Sequence, residues 1–463
     1  MEIDPQKQRE KMLNTPVPRL VTSLAIPTVI SQMVTTIYNT ADTYFVAQIG
    51  TSAAAAVGVV FSLMSLMQAW GMGLGMGANS LVSRKLGAAK NEEANLYASS
   101  AIAASFLGGC VILLLGMIFL KPLMRLLGST ETMLPFSMAY ARIILMGAPF
   151  MCWAFTMNSI LRSEGEAAFA MWGLCSGGIL NMVLDPIFIF GLHMGIAGAA
   201  LATVLSQLVS FCILLSVFVR GKSIVKLAPR WISHRPADYW LIITTGAPTF
   251  CRQGLASLAS ALMNIKAAPF GDAAVAAVTI ANKIYLMVRN IILGIGQGMQ
   301  PVIGYNFGAG ERGRVRETFR FATLLGTVIS IAAAIPLALN AAAVIAWFRA
   351  DDPEVIAIGT RALYFVCSVL PFLAYSTYVN QTYQVMGYRV PATVLACCRQ
   401  GICFIPLAIV LPSLLGLTGV EMLQPAADLA SFIVAVPFQV HMYRVLLAPQ
   451  GDKEKRLNGA TRK

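Results

Sequence analysis

Runs of about 20 or more mostly apolar residues recur from one end of this chain to the other, each long enough to cross a bilayer. A segment in lipid has no water for its backbone groups, so a chain built of such runs spans as α-helices. The composition agrees: 463 residues, 57% hydrophobic, only 12% charged, with a mean hydropathy of +0.70. Soluble domains do not have that balance. The pattern predicts an all-α integral membrane protein with twelve spans, at roughly 19–47, 51–81, 93–120, 132–160, 167–190, 195–219, 238–267, 272–303, 315–347, 354–385, 391–416 and 420–447. No large soluble domain fits between them.

The formal net charge of +13 invites a nucleic-acid partner, but its placement argues against one. With the N-terminus inside, the inner segments hold Lys7, Arg9, Lys11, Arg84, Lys85 and Lys90. They also hold the run RGKSIVKLAPRWISHR, the loop GERGRVRETFR and the tail GDKEKRLNGATRK. Only Lys121, Arg125 and Arg349 fall outside. That asymmetry is the positive-inside rule, so the charge sets orientation: a multi-pass cell-membrane protein with both termini cytoplasmic. The charged stretch MEIDPQKQREKMLN before the first run has no small-residue cleavage site, and no removable signal is read. Nine scattered cysteines without a CxxC pair, and three distant histidines, argue against a disulfide framework or a metal centre.

The chain repeats itself. At an offset of 221, Pro27 meets Pro248, Gln32 meets Gln253, Gly50 meets Gly271, and Gly73, Gly75 and Gly77 meet Gly294, Gly296 and Gly298. Further on, at 222, Pro149 meets Pro371, Asn158 meets Asn380 and Gly165 meets Gly387. Each half carries six spans, an even number, so both enter the membrane from the same side as a parallel repeat. The expected organisation is a cytoplasmic segment (1–18), an N-terminal six-helix bundle (19–219), a basic cytoplasmic linker (220–237), a C-terminal six-helix bundle (238–447) and a basic tail (448–463). Two pseudo-symmetric bundles around a central cleft suit a secondary transporter that rocks between two access states. No Walker loop is present to drive it with ATP. The glycine-rich GMGLGMGAN (71–79) lies inside a span and reads as close helix packing rather than a phosphate loop.

An ionised acid in hydrocarbon costs several kcal/mol, so the few that occur there point to use. Asp42 lies eight residues before Gly50 in the first span, and Asp185, in NMVLDPIFIF, six before Gly191 in the fifth. At 1.5 Å per residue both sit roughly 9–12 Å below the outer turn. Thr203 and Tyr140 enter from the outside and reach the same level. Asn181 shares a face with Asp185, and Tyr38 and Asn39 with Asp42. Pro186 has no N–H, which frees the carbonyl of Met182 and lets the helix bend.

Oxygen ligands of this kind suit Na+. They serve a proton equally, because a buried carboxyl beside a second acid does not stay ionised cheaply. The plainer alternative is that both acids only touch headgroups near helix ends. The second half has Met263 where Asp42 repeats, Ile405 at Asp185 and Gly401 at Asn181; Asp428 falls near the counterpart of Thr203. Gln32 and Gln253 are assigned to the cleft. Arg252, Lys266, Lys283, Arg289 and Arg399 also enter spans; snorkelling or carbonyl pairing accounts for most, and Arg399 is expected to meet an acid across the cleft.

At these residues the chain resembles the multidrug and toxic compound extrusion (MATE) family. The marks are IPTVISQMVTTIYNTADTYFVAQIGTSAAAAVG, the loop SRKLGAAKNEEA with its counterpart YNFGAGERGRV, and NMVLDPIFIFGLHMGIAGAALATVLSQ. The resemblance implies export of amphipathic, often cationic, drugs or toxins by antiport with H+ or Na+, with no other cofactor. It also implies a cation site at Asp42, Asn181, Asp185 and Thr203, as in the DinF-like and archaeal branch. The seventh span, GAPTFCRQGLASLASALMNIK, lacks the glutamate that a different branch uses. A flippase for lipid-linked precursors is the nearest alternative; it calls for more than twelve spans. An enzyme is disfavoured by the lack of a His, Cys or acid cluster, and the protein is expected to act as a monomer.

Overall fold

The computed structural model describes residues 4–348 and 352–448. Arg349 and the tail from 449 onward, both used in the charge argument, lie outside the described residues. The first half comprises α1 (Pro5–Asn14), α2 (Val17–Ala47), α3 (Thr51–Gly87), α4 (Asn91–Ile118), the short α5 (Leu120–Leu126), α6 (Leu134–Ser163), α7 (Ala167–Pro186) and α8 (Gly195–Val219). The second half comprises α9 (Pro236–Ala267), α10 (Asp272–Gly308), α11 (Arg312–Leu339), the short α12 (Ala341–Phe348), α13 (Pro353–Met386), α14 (Arg389–Cys397), α15 (Phe404–Leu415), the short α16 (Leu417–Glu421) and α17 (Leu423–His441). A π turn over Cys398–Ile402 joins α14 and α15 into one span. Among the described residues, eleven spans are long and apolar enough to cross a membrane by composition alone. The twelfth, α9, is diluted by Asp238, Arg252 and Lys266 but runs 32 residues.

The repeat extends to the helix ends. Both ends of α3 and α10 differ by 221, as do both ends of α4 and α11, and α5 and α12 start 221 apart. Local chemistry repeats too. Gly165 and Gly387 follow α6 and α13 at φ 87° and 89°, a left-handed conformation that a side chain resists. Asn158 Nδ2 donates to the Ala170 carbonyl at 2.7 Å, and Asn380 Nδ2 to the Ala392 carbonyl at 2.5 Å. These amides tie the sixth and thirteenth helices to the next one in each lobe.

Helix α1 and the 220–235 connection lie at one end of the bundle, the terminal end; the opposite end is the far end. At the terminal end one continuous apolar core runs through both lobes, including Leu81 and Val82 of α3 with Val302 and Ile303 of α10. Toward the far end each lobe has a core of its own, one with Ala56, Ile144 and Ile196, the other with Ala259, Phe404 and Ala427, while the shared core continues only along the second lobe, to Ala274 and Ile345. The lobes thus meet at one end and part toward the other.

Small residues permit the meeting. A Cβ on Gly77 would stand 2.2 Å from the Ile242 carbonyl oxygen, and one on Gly298 2.6 Å from backbone atoms of Ala25. The glycine-rich stretch and its repeat are the contact surfaces between lobes, as the packing reading expects. Polar contacts cross the same seam: Thr28 Oγ1 donates to the Gly294 carbonyl at 2.7 Å, Arg162 Nη1 to Gln297 Oε1 at 2.8 Å, and Arg314 Nη2 to the Thr15 carbonyl at 2.6 Å.

The connection between lobes is pinned to the first one. Fully buried Glu164, just past α6, accepts from Ser223 Oγ at 2.8 Å and from the backbone N–H groups of Ile224 (2.9 Å) and Val225 (3.3 Å). Lys226 N donates to Asn95 Oδ1 and Ser233 N to Ser100 Oγ, both at 2.8 Å.

Candidate functional site

Packing of α2 on α7, and of α7 and α6 on α8, brings the first-lobe polar groups together. Pro186 ends the regular part of α7, and the chain relaxes into a π turn over Ile187–Gly191. Asp185 sits just before that irregularity and is fully buried. Asn181 Nδ2 donates to Asp185 Oδ1 at 3.1 Å and lies 3.5 Å from Thr203 Oγ1, which donates to the Ala199 carbonyl at 3.0 Å. Asp42 is half-buried on α2 and close enough to Asp185 for the two carboxyls to repel each other. Tyr140, fully buried on α6, lies within electrostatic reach of both acids.

Three oxygens in this group are buried without a hydrogen-bond partner: Asp42 Oδ1, Asp185 Oδ2 and the Tyr140 hydroxyl. Buried polar atoms are normally satisfied, so orphaned oxygens converging from three helices mark a place built to receive something. An oxygen-rich group with two carboxyls fits a hard monovalent cation or a proton. A cavity of about 170 Å³, lined by Asn39, Asp42, Gly58 and Phe61, opens beside it. Tyr38 is buried on the same face of α2 and reaches toward Gln207 of α8. Gln207, one turn past Thr203, escaped the sequence reading, although its i, i+4 spacing from Thr203 signals a shared face.

The remaining expected residues stand elsewhere. Gln32 is ten residues from Asp42, about 15 Å along the helix, and is half-buried. Gln253 reaches from α9 to the sulfur of Met72 on α3 at 3.9 Å, so it bridges the lobes. Arg399 does not pair across the cleft. Its Nε donates to Asp428 Oδ1 at 2.7 Å within the second lobe, because the π turn at Cys398–Ile402 aims it at α17 rather than outward. Tyr285 donates to Asp428 Oδ2 at 2.6 Å and also bonds Arg399; Gln424 Nε2 donates to Asp428 Oδ1 at 3.1 Å. Arg289 is buried rather than snorkelling, at 7% exposure, and faces the space between the lobes. A charge count along α10 cannot separate the two outcomes.

Among the described residues, twelve membrane-long spans in two repeated six-helix lobes, with a buried acid group in one and a cleft between them, define a multi-pass membrane transporter. The MatE family pattern matches residues 27–187 and 248–410, and the chain belongs to that family. It is 26% identical over 397 residues to the multidrug export protein MepA of Staphylococcus haemolyticus, covering 86% of this chain and 87% of that protein. It is likewise 26% identical over 430 residues to an FAD transporter of Shewanella oneidensis, covering 91% and 94%. Among solved structures, it superposes with a TM-score of 0.88 and 27% identity on a multidrug resistance MATE family transporter of the MOP superfamily in its outward-facing conformation, covering 94% of this chain and 97% of that one.

Proposed function

We propose that this chain is a secondary multidrug exporter of the cell membrane, moving amphipathic organic compounds outward in exchange for H+ or Na+ by alternating access. The observation that carries the reading is the pair of neighbouring carboxyls, half-buried Asp42 and fully buried Asp185, each with a buried oxygen lacking a partner, beside a cavity. Asn181, Thr203 and Tyr140 complete the ion's surroundings, and Tyr38 and Asn39 border them. The export role of the staphylococcal relative supports the direction of transport.

The basic residues of 84–90, 220–235 and 311–320 cluster at the terminal end, which supports a cytoplasmic terminal end and cytoplasmic termini. The sealed end then faces the cytoplasm and the parted lobes face outward. In that state the ion reaches the acid group from outside, neutralises the pair and relieves their repulsion. Exchange follows only if ion and cargo favour different states, since a ligand shifts an equilibrium by its differential affinity alone. The lack of an acid in the membrane part of α9 supports a coupling site in the first lobe, as the DinF-like resemblance implies.

Everted membrane vesicles given a pH gradient and a Na+ gradient separately test this by dye efflux. Asp42→Asn and Asp185→Asn should each abolish gradient-driven transport with expression intact. Normal efflux by the double variant would overturn the assignment.

A further inference from the structure

Family resemblance points to a cargo that is often cationic. The cleft, however, carries positive charge itself, the same sign as such a cargo. A cavity of about 570 Å³ lies between the far halves of the lobes. Its first-lobe wall, including Phe61 and Ser65, is uncharged; its second-lobe wall carries Arg289. Arg252 lines a smaller recess that shares Gln400 with this cavity. Arg252, Arg289 and Arg399 stand close enough to repel one another. Of the three, Arg399 holds the carboxylate of Asp428, which also accepts from Tyr285 and Gln424.

Arg289 is therefore a guanidinium more than nine-tenths buried, with no ion pair among the described residues and an Nε that has no partner. Burying such a charge without a direct ion-pair partner costs several kcal/mol. Placed on the wall of a space wide enough for a small organic molecule, it is offset when an anion arrives. A guanidinium offers a planar fork of donors matched to carboxylate and phosphate oxygens.

Resting on the exporter reading above, and naming its cargo, we propose that the exported compound bears an anionic group, a carboxylate, phosphate or sulfonate. That group seats on Arg289 with Arg252 behind it, and the apolar body of the compound lies against Phe61. The two lobes then divide the work: acids in the first hold the coupling ion, and arginines in the second hold the cargo.

Equilibrium binding to the full chain, purified in detergent, tests this with two dyes, anionic carboxyfluorescein and cationic rhodamine 6G, read by fluorescence polarisation. Carboxyfluorescein should bind saturably and more weakly as salt rises. Arg289→Gln should cut the ratio of anionic to cationic affinity at least tenfold, and Arg289→Lys by less. A misfolded variant would lose both dyes together, and Arg252→Gln, which should cut the same ratio by a smaller factor, gives a second reading. An unchanged ratio in Arg289→Gln, or a wild type that binds only the cation, overturns the proposal.

A lipid phosphate has the same chemistry. Displacement of the dye by short-chain phosphatidylglycerol, with no displacement by benzoate or phenyl phosphate, would assign the pocket to a headgroup and overturn the soluble cargo. Gradient-driven dye movement in everted vesicles separates the two readings. Intact anion binding without movement supports the anion site and sinks the exporter. Cation efflux without anion binding does the reverse.

Discussion

Asp428 receives Arg399 Nε at 2.7 Å, and the two side chains are 1% and 11% exposed. This carboxylate pairs with one member of a cluster of three arginines. Asp428→Ala should therefore cost about 3–5 kcal/mol of stability, since it strands buried like charges. The charge-free pair Arg399→Met with Asp428→Leu should cost less than Asp428→Ala. Thermal melting in detergent measures both, and wild-type melting of Asp428→Ala would show that the pair holds nothing.

Tyr140 should separate stability from transport. Its hydroxyl is buried without a partner, so Tyr140→Phe removes no hydrogen bond and should change stability by less than about 1 kcal/mol. The same change removes an oxygen from the ion's surroundings. Efflux at limiting H+ or Na+ should fall several-fold and recover in part when the ion is raised. Full activity at limiting ion would exclude Tyr140 from the site.

Glu164 should make the connection between lobes sensitive to alkali. Burial pushes its carboxyl up to about 8, against hydrogen bonds from Ser223, Ile224 and Val225 that pull the other way. A raised acid binds more protons in the folded state than in the unfolded one, so its contribution is full below about pH 4.5. It declines as pH rises and is gone once pH passes about 8. Relative to Glu164→Gln, the wild type should lose on the order of a few kcal/mol between pH 5 and 9. Hydrogen exchange at Ile224 and Val225 should quicken over the same range in the wild type alone. A pH-independent difference would contradict this.

Gly77 should set the balance between access states. Its missing Cβ would lie 2.2 Å from the Ile242 carbonyl oxygen, so Gly77→Val cannot keep the terminal seam closed. Labelling of a cysteine at Ser83 by a maleimide should rise several-fold in that background. Gly254→Ala, where a Cβ meets nothing within 4 Å, should leave labelling unchanged. Equal labelling in both would mean that the seam gives elsewhere.

Spacing along the chain carried the architecture because a repeat and an apolar period survive in one dimension. The shared 221 offset of α3 and α10, and the paired amides Asn158 and Asn380, follow from it directly. The neighbourhood of Asn181, Asp185 and Thr203 was legible for the same reason: helix rise fixes depth and residue spacing fixes face. What lies opposite a face is not written in that spacing. Arg399 turned inward at a π turn, Arg289 stayed buried where snorkelling or carbonyl pairing was expected for most such residues, and Glu164 found its partners 59 to 61 residues away. Each depends on tertiary packing rather than on local sequence.

The pinned connection also fixes where the machine can swing. Its backbone is held to the first lobe as far as Ser233. The second lobe grips the same residue, through Asp238 on Ser233 Oγ at 2.5 Å and the Tyr239 hydroxyl on the Ser233 carbonyl at 2.8 Å. Any rocking of one bundle against the other must then either carry Ser233 along with both or break one of these grips, so the strain of the movement falls on this short stretch of the connection.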